Sequence, residues 1–351
     1  MEKLLSVIIP IYNGEKWVRR AVKSVVEQPC SNYIEIIIIN DGSTDNSAQV
    51  CEKIANENEN VIVIHKKNEG VSVARNTGIK NAKGKYLAFL DCDDWWEKDF
   101  LDNKIINELK GNIDIFSFSY RYIDFTMKYE KVFFAKNEKF EFETRGSVEC
   151  DWKPHFSYFY NKLFLHENNL LYPDFIKVAE DMVFIEKCHF CALSKKSINK
   201  ICYNYWLNRS SVMHTIRKFA LLDEYLKCTN HLKEFYAKYD IEYCTNQLKN
   251  ISKILPDLCS HKNFSECQKF LAQHQFLEQI NNVSMANLNK NLKKNVKSWI
   301  SHPYLFWLKN KIFYSMLLRV KKTIYYQPFL LKIVSYIKYK IVQGYHSYNN
   351  F

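Results

Sequence analysis

The sequence of 351 residues contains no long hydrophobic run. No stretch approaches the roughly 18 apolar residues that a helix needs to span a bilayer. The N-terminal residues also lack the cationic start, the long apolar segment and the small-residue cleavage site of a secretory signal. We therefore expect the protein to stay in the cytoplasm.

Cysteine does not occur in the pattern of a disulfide framework or of a zinc site. The 11 cysteines are an odd number scattered through segments predicted to form the core, which suits a reducing compartment. Cys188 and Cys191 are close in sequence, but no second pair completes a zinc site. We interpret these two residues as packing residues.

Acidic residues are absent from the C-terminal stretch 290–351, which carries twelve Lys or Arg residues interleaved with aromatic residues. The other 38 basic residues equal the 38 acidic residues in number, so the net charge of +12 lies in this tail. Such a segment is typical of helices that lie in the headgroup region of an anionic membrane. Basic aromatic stretches also bind nucleic acids, and a helical module for dimerisation or acceptor docking is a third interpretation. We favour the membrane surface and expect no nucleic acid.

Strand patterns alternate with helix patterns over the first part of the chain. The alternation predicts an α/β fold whose parallel sheet is wound with right-handed crossovers, and an apolar fraction of 47% is enough for its core. From about residue 216 the pattern is almost entirely helical, which predicts domains at 1–215 and 216–351. The predicted strands lie at 6–11, 34–39, 61–64, 86–90, 113–118, 120–142 and 198–206, and the later helices of the first domain lie at 97–110, 155–165 and 181–193.

Three carboxylates crowd the four positions that follow the strand at 86–90. Asp91, Asp93 and Asp94 repel one another, so a counter-charge is expected beside them. The carboxyl ends of strands in an open α/β sheet are also where ligands bind. We interpret this turn as a divalent-metal site that holds a diphosphate. The alternative is a solvated turn that caps a helix starting near Glu97.

Polar residues follow the other predicted strands as well. Tyr12 and Asn13 follow the first strand, Asp41 ends the second and Asn68 follows the third. Because the carboxyl ends of parallel strands meet at one edge, we expect these side chains to converge on one crevice.

Taken together, these motifs resemble those of the bacterial family 2 glycosyltransferases, over about residues 4–215. The resemblance implies a GT-A fold, in which a mixed sheet is flanked by helices, followed here by an all-helical C-terminal region. The matching stretches are Val-Ile-Ile-Pro-Ile-Tyr-Asn at 7–13, Asn-Asp-Gly-Ser-Thr-Asp at 40–45, Asn-Glu-Gly at 68–70, Ala-Arg-Asn-Thr-Gly-Ile at 74–79, Gly-Lys-Tyr at 84–86, Asp-Cys-Asp-Asp at 91–94 and Glu-Asp at 180–181.

The resemblance assigns the nucleotide of the donor to residues near the strand ends. It implies that Pro10, Tyr12 and Asp41 bind the base, with Asn13 in the same loop. A carboxylate accepts the N3–H of uracil, and an aromatic ring covers the face of the base. The family usually has Asp-Asp-Gly-Ser where this chain has Asn40 before Asp41, so only the second position is given the role.

The resemblance also implies how the diphosphate is held. Asn68 and Arg75 match the donor-binding pair of the family, and a guanidinium meets phosphate oxygens bidentately. A helix-surface salt bridge is the alternative for Arg75. Asp93 would bind Mg²⁺ or Mn²⁺, Asp91 would help to hold the metal and the ribose, and Cys92 would fill space between them.

Asp181 is the catalytic base that the resemblance implies, with Glu180 beside it. The alternative is that the acidic pair only stabilises the start of a helix. As the base, Asp181 would take the proton of the acceptor hydroxyl while its oxygen attacks the anomeric carbon. A single displacement of this kind inverts the anomeric centre.

Two further groups are weaker site candidates. Arg209, Ser211 and His214 match a mobile loop that closes over the donor diphosphate in similar enzymes. Trp95 is a candidate for stacking on an acceptor sugar, although one of Trp95 and Trp96 could equally be a core residue and the other a surface residue.

These observations predict a metal-dependent, inverting glycosyltransferase that uses a UDP-sugar. The expected acceptor is a saccharide or lipid-linked hydroxyl in bacterial surface polysaccharide or lipooligosaccharide synthesis, at the inner face of the cytoplasmic membrane. The Gln-x-x-Arg-Trp motif of processive synthases is missing, so we expect one sugar to be added per encounter. The alternatives are a catalytically silent scaffold of the same fold and a nucleotidyltransferase, although Tyr12-Asn13-Gly14-Glu15 is not the glycine-rich phosphate loop of the latter.

Deletion of residues 290–351 should release the protein from anionic lipid vesicles, because it removes the excess positive charge. Co-sedimentation of the full and the shortened chain with such vesicles measures this. Unchanged binding of the shortened chain would refute the membrane-surface hypothesis.

Overall fold

The computed structural model describes residues 3–124, 130–135, 139–141, 153–207, 221–239 and 264–273. The chain divides into two compact units, Met1–Ile216 with Asp223–Ile241, and Arg217–Leu222 with Glu242–Phe351. All described elements except the last helix lie wholly or mainly in the first unit. The predicted boundary after residue 215 stays a prediction, since it falls outside the described residues.

One mixed sheet organises the first unit. Within the described residues its strands follow the order β3-β2-β1-β4-β9-β6-β10-β5, with β7 on β6 and β8 on β10. The first four in this order are parallel, and β9 joins them to the second half by antiparallel pairing. The strands are β1 (Leu5–Ile11), β2 (Ile34–Asp41), β3 (Val61–Lys66), β4 (Tyr86–Phe89), β5 (Trp95–Trp96), β6 (Ile115–Ile123), β7 (Glu130–Phe133), β8 (Lys139–Glu141), β9 (Tyr158–Asn161) and β10 (Ser194–Trp206).

Helices flank this sheet, as the alternating pattern predicts. Every residue of β1, β2 and β4 is buried, which is why these strands are continuous apolar runs rather than alternating ones. The described helices are α1 (Val18–Val26), α2 (Ser47–Glu57), α3 (Val71–Asn81), α4 (Asn103–Leu109), α5 (Lys162–Glu167), α6 (Glu180–Cys191), α7 (Leu221–Ala237) and α8 (Phe264–Gln273).

Close packing at the centre of the sheet depends on two glycines. A Cβ at Gly78 of α3 would lie 2.3 Å from Cγ2 of Ile8, so this helix approaches β1 only without a side chain there. A Cβ at Gly84 would lie 2.6 Å from the Ser6 amide nitrogen. The Gly84 amide instead donates to Oε1 of the buried Glu35 at 3.0 Å, and the Ser6 hydroxyl donates to the same oxygen at 2.6 Å.

Three local predictions differ from the structure. The segment 155–165, predicted to be a helix, contains β9 between a short 3₁₀ turn and α5. Its aromatic residues Tyr158, Phe159 and Tyr160 are buried between β4 and β6, where sheet packing overrides the helical spacing. The helix expected near Glu97 begins only at Asn103, and β5 was not predicted.

The helical pattern predicted after residue 216 is present in α7 and α8, and the rest of that region lies outside the described residues. Phe190 near the end of α6 packs against Phe235, Tyr236 and Tyr239, with ring centroids 5.6, 4.8 and 4.9 Å apart. None of the helices in the described part of the chain is long and apolar enough to cross a bilayer.

His189 of α6 is a polar residue buried without a hydrogen bond to either ring nitrogen within the described residues. Its ring lies 5.0 Å from that of Tyr158. Burial, together with the charges of Lys195 and Lys153, lowers the pKa of His189 to about 3. The folded protein therefore contains this imidazole in its neutral form.

We expect the free energy of unfolding to fall as the pH decreases from about 6.5 toward the folded-state pKa of His189. In this range the unfolded chain binds a proton at His189 and the folded chain does not. In His189→Leu, the free energy of unfolding should depend less steeply on pH in this window, by at most about 1.4 kcal/mol per pH unit. Near neutral pH the variant should be at least as stable, since a buried group without a partner is removed. Urea denaturation across the window measures both, and equal slopes would contradict the prediction.

Candidate active site

Residues far apart in the sequence meet where the parallel strands end. The strands β2, β1 and β4 run in the same direction, so their carboxyl ends lie at one edge of the sheet. Asp91 follows β4 at this edge, Arg75 belongs to α3, and Glu180 opens α6. The Arg75 side chain is in direct contact with the other two.

Arg75 connects the aspartate turn to the start of α6. Its Nη2 donates to Oδ1 of Asp91 at 3.0 Å and its Nη1 donates to Oε1 of Glu180 at 2.7 Å. Only 6% of the arginine side chain is exposed, and its guanidinium lies 5.2 Å from the ring of Tyr172. Burial disfavours the charge, but the two carboxylates raise the pKa of Arg75 above its ordinary value. The ion pair is therefore buried, unlike the surface salt bridge considered as the alternative.

The neighbouring aspartates of this turn differ in their hydrogen bonds and in their pKa values. Asp94 is buried; its Oδ2 accepts from the Tyr203 hydroxyl at 2.7 Å and its Oδ1 from the Trp206 amide at 2.7 Å. Burial and the neighbouring Asp93 and Asp91 raise the pKa of Asp94 well above its ordinary value. Burial would also raise the pKa of Asp91, but Arg75 lowers it. The pKa values of Asp91 and Asp94 are therefore shifted in opposite directions. Arg75 supplies part of the counter-charge expected beside the three carboxylates.

A second arginine lies at this turn. Nη2 of Arg20 donates to the backbone carbonyl of Asp93. The guanidinium stacks on Trp95 and Trp206, at 4.1 and 4.8 Å from the ring centroids. This face of Trp95 is therefore occupied by protein.

The turn does not cap the next helix. The N-cap of α4 is Asp102, whose side chain accepts from the Ile105 amide. The alternative of a helix-capping aspartate cluster is therefore wrong for residues 91–94.

Asp91 and Asp93 are suitable ligands for a divalent cation. Both are partly exposed, and their carboxylate oxygens are the hard donors that Mg²⁺ and Mn²⁺ prefer. Within the described ranges, no group of three or more His, Cys, Asp or Glu side chains is arranged to hold a metal. Two carboxylates could hold Mg²⁺ if substrate phosphates and water supply the remaining ligands, as is usual for this ion. Burial and the adjacent acids raise the pKa of the Cys92 thiol, so it stays protonated.

Asp181 lies in the first turn of α6, next to the Glu180 that binds Arg75. Burial and the adjacent carboxylate of Glu180 raise the pKa of Asp181 to about 6. A carboxylate with this pKa holds a proton more readily than an ordinary aspartate and remains largely ionised near neutral pH. The preceding residue, Ala179, has φ 64° and ψ 23°, which is the left-handed conformation.

The loops after the first two strands are tied together. Asn13, with φ 53°, donates its amide to the Ser43 hydroxyl at 3.0 Å, and its side-chain oxygen accepts from the Thr44 amide at 2.8 Å. Tyr12 is 51% exposed at this edge, whereas Pro10 is buried within β1.

Asp41 holds the loop that follows β3. Its Oδ1 accepts from Lys66 Nζ at 2.7 Å and from the Glu69 amide at 3.1 Å, and its Oδ2 accepts from the Gly70 amide at 2.8 Å. A nucleotide base that bonds to this carboxylate must share it with these donors. Asn68, in the same loop, lies against Gly42, where a Cβ would be 2.6 Å from the Asn68 amide nitrogen.

A family model described as "Glycosyl transferase family 2" matches residues 6–172. Over these residues the chain is a family 2 glycosyltransferase.

Curated relatives support this family 2 assignment. Glycosyltransferase GlyA of Streptococcus pneumoniae is 26% identical over 292 residues, covering 77% of this chain and 41% of that protein. The chain therefore spans less than half of the length of GlyA. The uncharacterized glycosyltransferase EpsJ of Bacillus subtilis is 27% identical over 316 residues, covering 86% of this chain and 85% of that protein.

Solved structures support the predicted fold of the family 2 domain. S. aureus TarS 1-349 in complex with UDP matches with a TM-score of 0.59 and 18% identity, covering 92% of this chain and 91% of that chain. The same protein in complex with UDP-GlcNAc matches with a TM-score of 0.57 and 20% identity, covering 92% of this chain and 92% of that chain. The predicted mixed sheet flanked by helices, of GT-A type, is confirmed.

The structure brings together only some of the predicted site residues of this family 2 enzyme. Arg75 contacts both Glu180 and Asp91. Asp181 directly follows Glu180 in the sequence, and Asp93 lies two residues after Asp91. Asp41 and Asn13 lie in separate hydrogen-bonded loops. Arg209, Ser211 and His214 lie outside the described residues. The individual roles given to all these residues stay predictions.

His155, Lys66 and Arg20 also contact the site, and none of them was predicted from the sequence. His155 is buried, with Nδ1 3.2 Å from the Tyr172 hydroxyl and Nε2 3.9 Å from Oδ2 of Asp91. Burial, then the charge of Arg75, lowers the pKa of His155 to about 3, so it is neutral. No local pattern marks it. Lys66 could have been predicted from the sequence. It ends β3, and Asp41 ends the neighbouring parallel strand β2, so the two side chains lie side by side.

Proposed function

We propose that this family 2 glycosyltransferase moves a sugar from a nucleotide sugar to an acceptor hydroxyl with inversion. The observation that carries the proposal is the connection from Asp91 through Arg75 to Glu180, beside Asp181. It places the residue with the raised pKa next to the turn suited to a diphosphate. This arrangement supports the proposal that the donor and the base meet at this edge of the sheet.

The proposed reaction is a single displacement. The acceptor oxygen attacks the anomeric carbon and the bond from that carbon to the diphosphate oxygen breaks. The proton of the acceptor hydroxyl passes to Asp181, and the nucleoside diphosphate leaves with the electron pair of the broken bond. An α-linked donor therefore gives a β-linked product.

The proposed donor is a UDP-sugar. Support comes from the fold shared with TarS, which was solved with UDP and with UDP-GlcNAc. Tyr12, Asn13 and Asp41 would bind the nucleotide. Asp91 and Asp93 would hold Mg²⁺ or Mn²⁺, whose charge favours departure of the diphosphate.

The proposed acceptor is a saccharide or lipid-linked hydroxyl in the synthesis of a bacterial surface polysaccharide or lipooligosaccharide, extended by one sugar per encounter. The charge of residues 290–351 supports work at the inner face of the membrane, because its lipids are anionic.

A panel of nucleotide sugars tests the proposal, with nucleoside diphosphate release measured with Mn²⁺ or Mg²⁺ and with chelator. We expect the enzyme to release nucleoside diphosphate from a UDP-sugar. Chelator should abolish this release, and so should Asp93→Ala. Asp181→Asn should lower kcat about 10²- to 10⁴-fold without weakening UDP binding, because it removes only the base. The rate of the wild type should rise with pH through about 6 as Asp181 loses its proton.

Asp174 is an exposed aspartate in the segment that precedes α6. Asp174→Asn is therefore the matched control and should behave as the wild type. Pyrophosphate release would instead indicate a nucleotidyltransferase, and UDP binding without any release, with acceptors supplied, would indicate a scaffold. Wild-type turnover in Asp181→Asn would refute the role of this residue, and release that persists with chelator would refute the metal requirement.

A further inference from the structure

The helix α7 contacts the segment that leads into the proposed base. Oε2 of Glu224 accepts from the Lys177 amide at 2.6 Å, and its Oε1 accepts from Lys227 Nζ at 2.7 Å. One turn further along the helix, Sγ of Cys228 lies 3.7 Å from the carbonyl oxygens of Val178 and Ala179. Two side chains of one helix therefore contact three consecutive residues that precede α6.

The held segment is conformationally unusual. Ala179, the residue before Glu180, has the left-handed backbone conformation, which non-glycine residues rarely adopt. It is the N-cap residue of α6, yet no side chain caps the helix there. Such a conformation persists where the surroundings over-determine it, and it often does so at functional sites.

The contacts from α7 are suited to this task. Only 13% of the Glu224 side chain and 1% of Cys228 are exposed, so water competes little for either. Burial alone would raise the pKa of Glu224, but hydrogen bonds from Lys227 and from the Lys177 amide lower it. An ionised carboxylate accepts a stronger hydrogen bond from an amide than a neutral group does.

The same helix also holds the far end of α6. The Tyr236 hydroxyl donates to Oε1 of Glu186 at 3.2 Å, and Phe190 packs on Phe235. The helix that begins with Glu180 and Asp181 is thus fixed at both ends by α7. This helix lies beyond residues 6–172, so the contacts come from outside the part of the chain that matches the family.

We propose that Glu224 and Cys228 are positioning residues for Asp181. By holding 177–179, with Ala179 in its left-handed conformation, they set the point and direction at which α6 begins. The carboxylate of Asp181 is thereby directed at the acceptor. This inference rests on the proposed function, because it takes Asp181 to be the base.

The test uses the full chain and the UDP-sugar that supports diphosphate release. The variants are Glu224→Ala, Glu224→Gln, Cys228→Ala and, as a control on the exposed side of α7, Lys233→Ala. Glu224→Ala should lower kcat by about tenfold to a hundredfold, since a displacement of the order of 1 Å costs that much. Its affinity for UDP, measured by calorimetry, should be unchanged, and the acidic limb of its pH–rate profile should move. Glu224→Gln retains an acceptor oxygen and should recover most of the rate.

Several outcomes would overturn the inference. Wild-type kcat in Glu224→Ala is one, and an equal loss of UDP affinity is another, because the whole site would then be disturbed. An equal loss in Lys233→Ala would mean general destabilisation of α7. If Glu224→Ala does not fold, Cys228→Ala is the deciding variant and the same outcomes apply.

The two proposals fail in different ways. If Asp181→Asn is fully active, the assignment of the base is wrong, whatever the Glu224 variants do. If Asp181→Asn is inactive and the Glu224 and Cys228 variants are fully active, only the positioning is wrong. Should no donor support release, hydrogen exchange decides: Glu224→Ala should speed exchange of the amides at 177–183 in a protein that still binds UDP. Unchanged exchange would overturn the inference.

Discussion

The buried guanidinium of Arg75 is the interaction on which the arrangement of the site depends. It bonds to Asp91 after β4 and to Glu180 at the start of α6. Phe89 of β4 also packs against Phe184 of α6, with ring centroids 5.9 Å apart, but among the described residues only Arg75 pairs the charges. Without it, two largely buried carboxylates would face each other unpaired, which is far more costly than the net gain from any surface pair. Arg75 therefore ties the aspartate turn to the start of α6, where Asp181 lies.

Environment divides otherwise similar acids into different roles. The charge of Arg75 lowers the pKa of Asp91, whereas burial raises the pKa of Asp94, which accepts hydrogen bonds from Tyr203 and Trp206. Asp181, next to Glu180, has its pKa raised to about 6. Carboxyl groups whose pKa values are pushed apart in one site are typical of acid–base and ligand-binding assignments in enzymes. In the proposed mechanism they separate the turn that would bind the diphosphate from the residue that would act as the base.

The sequence is enough to predict what local periodicity and motif order encode. The buried strands β1, β2 and β4 are continuous apolar runs, and the order of the motifs indicates the family. Contacts between distant residues are not encoded in this way. Arg75 and Glu180 are 105 positions apart, so the sequence shows an arginine and an acidic pair but not their bond. The strand β9 was missed because its aromatic residues fit either element until sheet neighbours are known.

A double-mutant cycle on Arg75 and Glu180, measured by urea denaturation, tests the central claim most directly. Arg75→Met should lower the free energy of unfolding by about 3–5 kcal/mol, because it leaves buried carboxylates unpaired. Adding Glu180→Gln should restore part of this loss, giving a coupling energy of at least about 1 kcal/mol. Additive losses from the two changes would show that Arg75 does not join the aspartate turn to the start of α6, and would contradict the account.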